Sequence, residues 1–272
     1  TYVLMATALE VLGREAAHVR AAIAADQAAR PAQVIVNWKP GGPRREIDFL
    51  GIDSERYASP ASGTTEVRWT GQPKRFPKLP VETDQPGITV SRPKAYWVPA
   101  SSPEVIDRLR LHGIKVEPLT AARTLEIGMY RLVDPTPGNN GQPVERRHVV
   151  KTGVKLESRR ETFPAGSVRV PTDQPLGGLA IAMLEPQADD SLLGWGFFDE
   201  IRQRTEYIEG YVIAPLAEEM LSKDPKLKAE FEARLAADED FAKNPTARLQ
   251  WFYARTKFYD DRYLLYPVGI ER

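Results

Sequence analysis

Hydrophobic positions divide this chain into three stretches with different spacings. In residues 2–29 the apolar side chains recur at helical spacing and alanine, the best helix former, is abundant. This pattern predicts one long helix that Pro31 ends. Its apolar stripe consists of Leu4, Leu9, Leu12, Ala16, Val19 and Ile23.

Two further stretches follow the first helix. From residue 31 to 170 apolar residues alternate with polar ones in short runs, which is typical of strands. From 171 to 272 helical spacing returns. The sequence therefore predicts an α+β fold in three parts: a helix over 1–30, a β-rich module of sandwich-like or mixed-sheet type over 31–170, and a helical part over 171–272 packed on that module.

The densest apolar segment runs from Gln174 to Leu221, and we expect the rest of the chain to be organised around it. It predicts a short helix over Leu176–Leu184 and a second helix beginning near Ile208, kinked at Pro215. Aromatic side chains dominate core energetics, so we interpret the segment as core. A binding surface built on Trp195 is the alternative.

Turn residues place the predicted β elements. Alternation on both sides of Pro40–Pro43 predicts a hairpin over 32–57, and the proline-rich residues 59–94 predict an extended strap with one strand near Glu66–Trp69. Next come a strand over Ala95–Val98, a helix capped by Ser102 and a returning strand over Ile114–Glu117. Further strands are predicted at 125–129, 144–156 and 167–170, with a loop at 134–141.

Helix-start signals recur near the end of the chain. Asp224-Pro225 and Asn244-Pro245 each place a capping residue before a proline, which predicts a helix start. The aromatic tail over 251–266 must dock on another part of the protein.

Composition excludes several classes of protein. The 37 basic and 37 acidic residues balance, so nothing indicates nucleic acid as a partner. No cysteine is present, which excludes disulfides and thiolate metal sites. No apolar run reaches the roughly 20 residues that span a bilayer. The chain begins with apolar residues and no initiator methionine, so we expect it to be a piece of a longer protein.

Catalytic patterns are weak throughout the chain. Glu15 and His18 stand one helical turn apart, but a single such pair is more typical of a solvated helix face than of a metal site. His112 precedes a glycine that ends a helix, and His148, beside two arginines, is a candidate anion site. Thr1 could be an N-terminal nucleophile only at the start of a buried strand, whereas it precedes a helix.

The acidic pairs Asp189-Asp190 and Glu218-Glu219 are explained by capping and by solvated faces. We therefore predict no catalytic residue, no cofactor-binding residue and no metal ligand in this chain.

The central and C-terminal segments resemble a known family. The motifs are Pro164-Ala-Gly-Ser167, Gln174-Pro175, Leu184-Glu-Pro186, Asp190-Ser-Leu192, Trp195-Gly-Phe-Phe198, Glu206-Tyr207, Tyr211-Val212, the segment Lys94–Val116, Trp251-Phe-Tyr253, Asp261-Arg262 and Leu265-Tyr-Pro-Val268. Together they resemble the C-terminal, non-catalytic region of bacterial zinc carboxypeptidases of the carboxypeptidase A-type metallopeptidase family. The resemblance is good over residues 94–272 and loose over 1–93.

The resemblance implies a role in a larger peptidase. In that family an N-terminal catalytic domain binds one zinc through a His-x-x-Glu pair and a later histidine, and a glutamate acts as general base. That base is often followed by Ser or Thr and then Tyr, which Thr1-Tyr2 resembles, so the base would precede residue 1. The resemblance implies that the catalytic domain is the partner of this chain, that a peptide is the substrate, and that the protein is periplasmic or secreted.

Three functions follow from these observations. The first is a non-catalytic region that supports the fold of a zinc carboxypeptidase, or access to its site. The second is a peptide- or glycan-binding module that uses exposed aromatic residues such as Trp69, Trp97 or Trp195. The third is an independent hydrolase with an unrecognised site. Exposure separates the first two, because a binding module needs open aromatic residues whereas a support module buries them.

Overall fold

Helices and strands both contribute substantially to this chain, which confirms the predicted α+β fold. A computed structural model describes residues 2–143, 147, 149–204 and 207–272, and gives only the backbone of Asn139. The α-helices are α1 Tyr2–Arg14, α2 Ala16–Ala28, α3 Pro103–Leu111, α4 Gly177–Leu184, α5 Gly210–Lys223, α6 Pro225–Ala237, α7 Glu239–Lys243 and α8 Pro245–Tyr253. The strands are β1 Gln33–Pro40, β2 Arg45–Ala58, β3 Thr65–Val81, β4 Asp84–Ser91, β5 Ala95–Val98, β6 Glu117–Pro118, β7 Arg123–Pro137, β8 Val150–Phe163, β9 Val168–Pro171 and β10 Leu265–Glu271.

The chain divides into two units, each built from two separate segments. The first unit comprises the residues up to Arg92 together with Asp173–Ser191. The second comprises Pro93–Thr172 and Leu192–Arg272. The predicted three-part division at residues 30 and 170 stays a prediction.

The first unit contains two separate antiparallel strand pairs. β1 pairs with β4, from Gln33 opposite Ser91 to Pro40 opposite Asp84. β2 pairs with β3 over nearly its whole length, from Arg45 opposite Val81 to Ala58 opposite Thr65. The backbone NH of Asp189 donates to the carbonyl oxygen of Val36 at 3.0 Å, which ties the later segment to β1.

The predicted hairpin over 32–57 is wrong, because its two strands pair with other partners. The loop after β1 turns toward the end of β3, and the NH of Gly42 donates to the carbonyl oxygen of Thr83 at 2.8 Å. Residues 59–94 are not a strap but supply β3 and β4. Prolines do not prevent this, since they are tolerated on edge strands, where their missing NH faces solvent.

The N-terminal helix is long, as predicted, but it is interrupted at Glu15, between α1 and α2. Hydrogen bonds continue across the break, from the NH of Glu15 to Val11 and from the NH of Val19 to Glu15. No described residue of α1 or α2 is buried.

The second unit is built on a six-stranded sheet with the order β6-β9-β5-β10-β7-β8. The strand over Ala95–Val98 and the helix that follows Ser102 are confirmed, and α3 buries Val105, Ile106 and Leu109. The predicted return strand is shorter than expected, because only Glu117 and Pro118 pair, both with β9.

Two boundaries differ around the hairpin of β7 and β8. β7 continues through Pro137, into the predicted loop, because its pairing with β8 resumes at Thr136 after a register shift. The strand predicted over 144–156 begins at Val150, and residues 144–146 and 148 lie outside the described part of the chain.

Only the end of the aromatic tail, Leu265 and Tyr266, enters a central strand, which the sequence pattern did not reveal, and Trp251–Tyr253 belong to α8. β10 lies between β5 and β7, and its residues are buried in succession rather than alternately. Alternation is lost because a central strand is covered on both faces. The ring of Tyr266 meets that of Phe198 edge to face, with centroids 4.9 Å apart.

Helices α5–α8 form a separate apolar cluster in the second unit. The predicted caps are confirmed: Asp224 accepts hydrogen bonds from the NH groups of Lys226 and Leu227, and Asn244 accepts from Ala247. The buried members of the cluster are Ile213, Ala217, Phe231, Phe241, Phe252 and Tyr253.

The segment over 174–221 contributes to both units, with α4 in the first and α5 in the second. Leu184 and Phe198 are fully buried, which fits the predicted core, whereas Trp195 and Phe197 are half-buried. Within the described residues, no helix is long and apolar enough to cross a bilayer.

Candidate functional site

Among the described residues, the candidate histidines His18 and His112 are both exposed. Nδ1 of His18 is 3.1 Å from Oε2 of Glu15, and both side chains are open to solvent. His112 ends α3, and its Nδ1 is 2.8 Å from the carbonyl oxygen of Arg108. Thr1 and His148 lie outside the described residues.

One residue of each acidic pair has a structural partner. Asp189 accepts hydrogen bonds from the side chain of Asn37 and from the backbone NH of Trp38, so it fastens β1. Glu219 pairs with Lys223 one turn along α5, and this hydrogen bond lowers the pKa of its carboxyl group. Among the residues that the structure describes, no group of three or more His, Asp or Glu side chains could hold a metal ion.

An open apolar surface lies on the first two helices. A groove of about 420 Å³ is lined by Leu4, Ala8, Val11, Leu12 and Val19, with Thr7 and Glu15 at its polar positions. Leu4 is 72% exposed, and neighbouring Leu9 is 65% exposed. We call this surface the helix groove.

The long hairpin of β2 and β3 is the second open apolar surface. Neither strand has a buried residue. Leu50 and Ile52 on β2 and Val67 and Trp69 on β3 are all at least half exposed, with Leu50 reaching 78%. We call these four residues the hairpin apolar set. A two-stranded ribbon without cover is marginally stable in water.

The three tryptophans proposed for ligand binding lie in different surroundings. Trp97 is buried in the core of the second unit, beside Phe163. Trp195 is half-buried, and only Trp69 is open, at 71% exposed. Of the three tryptophans expected in an open binding site, Trp69 alone is exposed.

Ion pairs organise the surface of the six-stranded sheet. Arg131 donates two hydrogen bonds to Glu157, of 2.8 and 3.0 Å. It also donates to the carbonyl oxygens of Asp261 and Tyr263. The hydrogen bonds from Arg131 hold the pKa of Glu157 below its usual range. Arg159 in turn lowers the pKa of Asp261. This network ties the segment before β10 to β7 and β8, so its role is structural.

A second charged cluster surrounds Trp97. Arg169 donates to Glu271 through Nε at 2.8 Å and Nη2 at 3.2 Å, and to Glu117 through Nη1 at 2.9 Å. The indole NH of Trp97 donates to Glu271 at 2.9 Å. The hydrogen bonds from Arg169 are the main cause of a lowered pKa of Glu271. Sequence reasoning did not find this cluster, because its members come from four strands far apart in the chain.

Comparison with known proteins gives one consistent result. The chain is 35% identical over 116 residues to carboxypeptidase 2 of Trichophyton equinum, and 34% identical over 119 residues to carboxypeptidase 2 of Trichophyton rubrum. A probable carboxypeptidase 2 of Arthroderma benhamiae is 35% identical over 112 residues. These matches support a carboxypeptidase-related region in the chain.

The extent of these matches is limited. The first two cover 40% and 41% of this chain, and the third covers 39%. The chain matches about a fifth of the length of each of these relatives, at 20% in all three. No family model and no solved structure matches the chain.

Proposed function

We propose that this chain is a non-catalytic region of a zinc carboxypeptidase-like protein, and that it supports the fold of a catalytic domain or access of peptide to its site. The observation that carries the proposal is the likeness to carboxypeptidase 2 proteins over only a fifth of their length. A match so short leaves most of such a protein, including room for a catalytic domain, outside the matched region.

The helix groove supplies the contact surface for that domain. An amphipathic helix gains its stability from burying its apolar stripe, and helices this short are marginal on their own. In the described residues nothing buries α1 or α2. The hairpin apolar set is open in the same unit and offers further contact area.

The zinc would belong to the catalytic domain in this proposal. A catalytic zinc site needs about three protein ligands around an open position. The described residues bring no three His, Asp or Glu side chains together in that way. This chain would then contribute contact surface and no metal ligand.

The test compares this chain with the product of the complete reading frame that encodes it. We expect the complete protein to remove C-terminal residues from a blocked dipeptide. Amide hydrogen exchange in α1 and α2 should be slower in the complete protein than in the chain alone. Exchange in α6 should be equally fast in both. Equal exchange in α1 and α2, or hydrolysis by the chain alone, would overturn the proposal.

One observation favours the peptide- or glycan-binding alternative. Trp69 is 71% exposed on a ribbon of apolar neighbours, and exposed aromatic rings suit stacking contacts. If this alternative is right, Trp69→Ala should abolish binding of a peptide or oligosaccharide to the chain, while Trp38→Ala, also at an exposed strand position, should leave it intact. An independent hydrolase would instead show activity in the chain alone.

A further inference from the structure

A cavity of about 350 Å³ lies on the second unit beside the charged cluster of Trp97. Its wall is formed by the chain between β6 and β7, with Pro118, Leu119, Ala121 and Ala122 as apolar members. Glu117, Arg169 and Arg123 supply its charged groups. The volume is within the range of small-molecule sites.

Ring contacts and hydrogen bonds hold the groups beside the cavity in place. The Trp97 ring is buried between Phe163, at 5.5 Å between centroids, and the guanidinium of Arg123, at 5.1 Å from the ring centroid. Three hydrogen bonds from Arg169, to Glu271 and Glu117, fix the groups on the other side. A site that is already ordered loses little entropy on binding.

Arg123 is the cation of this cavity that has no counter-ion. Arg169 satisfies both carboxylates of the cluster, whereas Arg123 makes no ion pair with any residue that the structure describes. The guanidinium of Arg123 is therefore available to pair with an anion.

The charge balance of the cavity favours an anion. The charged residues that line the cavity are Glu117, Arg123 and Arg169, and Arg169 pairs with Glu117 and with Glu271 outside the lining. Arg123 is the lining cation that remains without a carboxylate partner among the described residues. A guanidinium binds a carboxylate through two parallel hydrogen bonds.

We propose that this cavity binds a small organic carboxylate whose anionic group pairs with Arg123 and whose apolar part packs on Pro118 and Leu119. The apolar wall distinguishes such a ligand from an inorganic anion. This inference does not depend on the proposed function, since it rests on the second unit alone.

The experiment is a titration of the chain followed by nuclear magnetic resonance. The probe is N-acetyl-leucine, which joins a carboxylate to an aliphatic side chain. N-acetyl-leucinamide is the matched ligand, with the same shape and no charge. We expect N-acetyl-leucine to shift the side-chain NH signals of Arg123 and Trp97, and the amide to leave both unchanged.

Two variants make the assignment specific. Arg123→Gln removes the unpaired cation and should weaken binding about tenfold or more, the loss expected for a charged hydrogen bond. Arg160→Gln is the control, because Arg160 is an exposed sheet residue outside the cavity wall that makes no ion pair with the described residues. The affinity of the Arg160→Gln variant for N-acetyl-leucine should equal that of the unaltered chain.

Several results would overturn the inference. If N-acetyl-leucine saturates the chain without shifting the side-chain NH signal of Arg123, it binds at another place. If N-acetyl-leucinamide binds as tightly as N-acetyl-leucine, the carboxylate has no role in binding. If Arg160→Gln weakens binding as much as Arg123→Gln does, the effect comes from the net charge of the chain. Binding of inorganic phosphate as tightly as N-acetyl-leucine would remove the role of the apolar wall.

Discussion

Phe198 is the position at which the interpretation of residues 174–221 as core is tested most directly. Its side chain is 0% exposed, and its ring meets Tyr266 edge to face. Replacement of Phe198 by alanine should lower the free energy of unfolding by about 3–5 kcal/mol, because a cavity replaces the ring. About 0.5–1.5 kcal/mol of that loss would come from the aromatic pair.

Urea unfolding followed by tryptophan emission measures the effect, and the buried Trp97 of the second unit contributes to that signal. With a slope of about 1–3 kcal/mol per molar urea, such a loss moves the midpoint by more than about 1 M. Phe258→Ala is the matched control, since Phe258 is 56% exposed and its contact with Tyr253 uses only its backbone carbonyl. We expect that variant to lose about 1 kcal/mol or less. If the two variants lose equal stability, Phe198 is not a core residue and this reasoning is refuted.

Three further predictions follow from the described surfaces. The chain alone should self-associate through the helix groove in sedimentation experiments, and Leu12→Glu should restore a monomer, whereas Leu111→Glu, at an exposed leucine of α3, should not. Acid should destabilise the second unit. The pKa values of Glu157 and Glu271 are lowered in the folded chain, so the ionised side chains stabilise the fold above about pH 4.3. This stabilisation is lost as the pH falls through the lowered pKa values. Circular dichroism against pH checks this, and Arg131→Gln should flatten the acid limb, while an unchanged limb would contradict it. Elemental analysis after incubation with zinc and washing should find less than one zinc per chain, and a stoichiometric ion bound by histidine would contradict the proposal.

Local signals in the sequence predicted much of the fold. Proline after a cap-type residue marked the starts of α3, α6 and α8 correctly, because a helix start depends on only a few neighbouring residues. The predicted cap by Ser102 is wrong in its detail, since its side chain makes no capping hydrogen bond. Pairing was harder to predict. β1 finds its partner in β4, more than 40 residues away, and no local pattern distinguishes that choice from the adjacent strand β2.

The candidate surfaces were predicted unevenly for a similar reason. The stripe of α1 and α2 follows from helical spacing, so Leu4, Leu9 and Leu12 were identified from sequence alone. The charged cluster around Trp97 was not, since Glu117, Arg169 and Glu271 meet only after β6, β9, β5 and β10 assemble. The binding-module hypothesis needs Trp97 to be exposed, and its burial corrects that expectation.

The prolines of β3 limit what the open hairpin does in solution. Pro73, Pro77 and Pro80 lack the amide hydrogen that an added strand would need. Edge strands carry such residues as protection against templated growth. The β3 edge of the hairpin therefore opposes the addition of a further strand, whereas the β2 edge has no proline. Growth of the ribbon by strand addition is hindered on one side, so an assembly at the β3 edge should use the apolar side chains rather than the backbone.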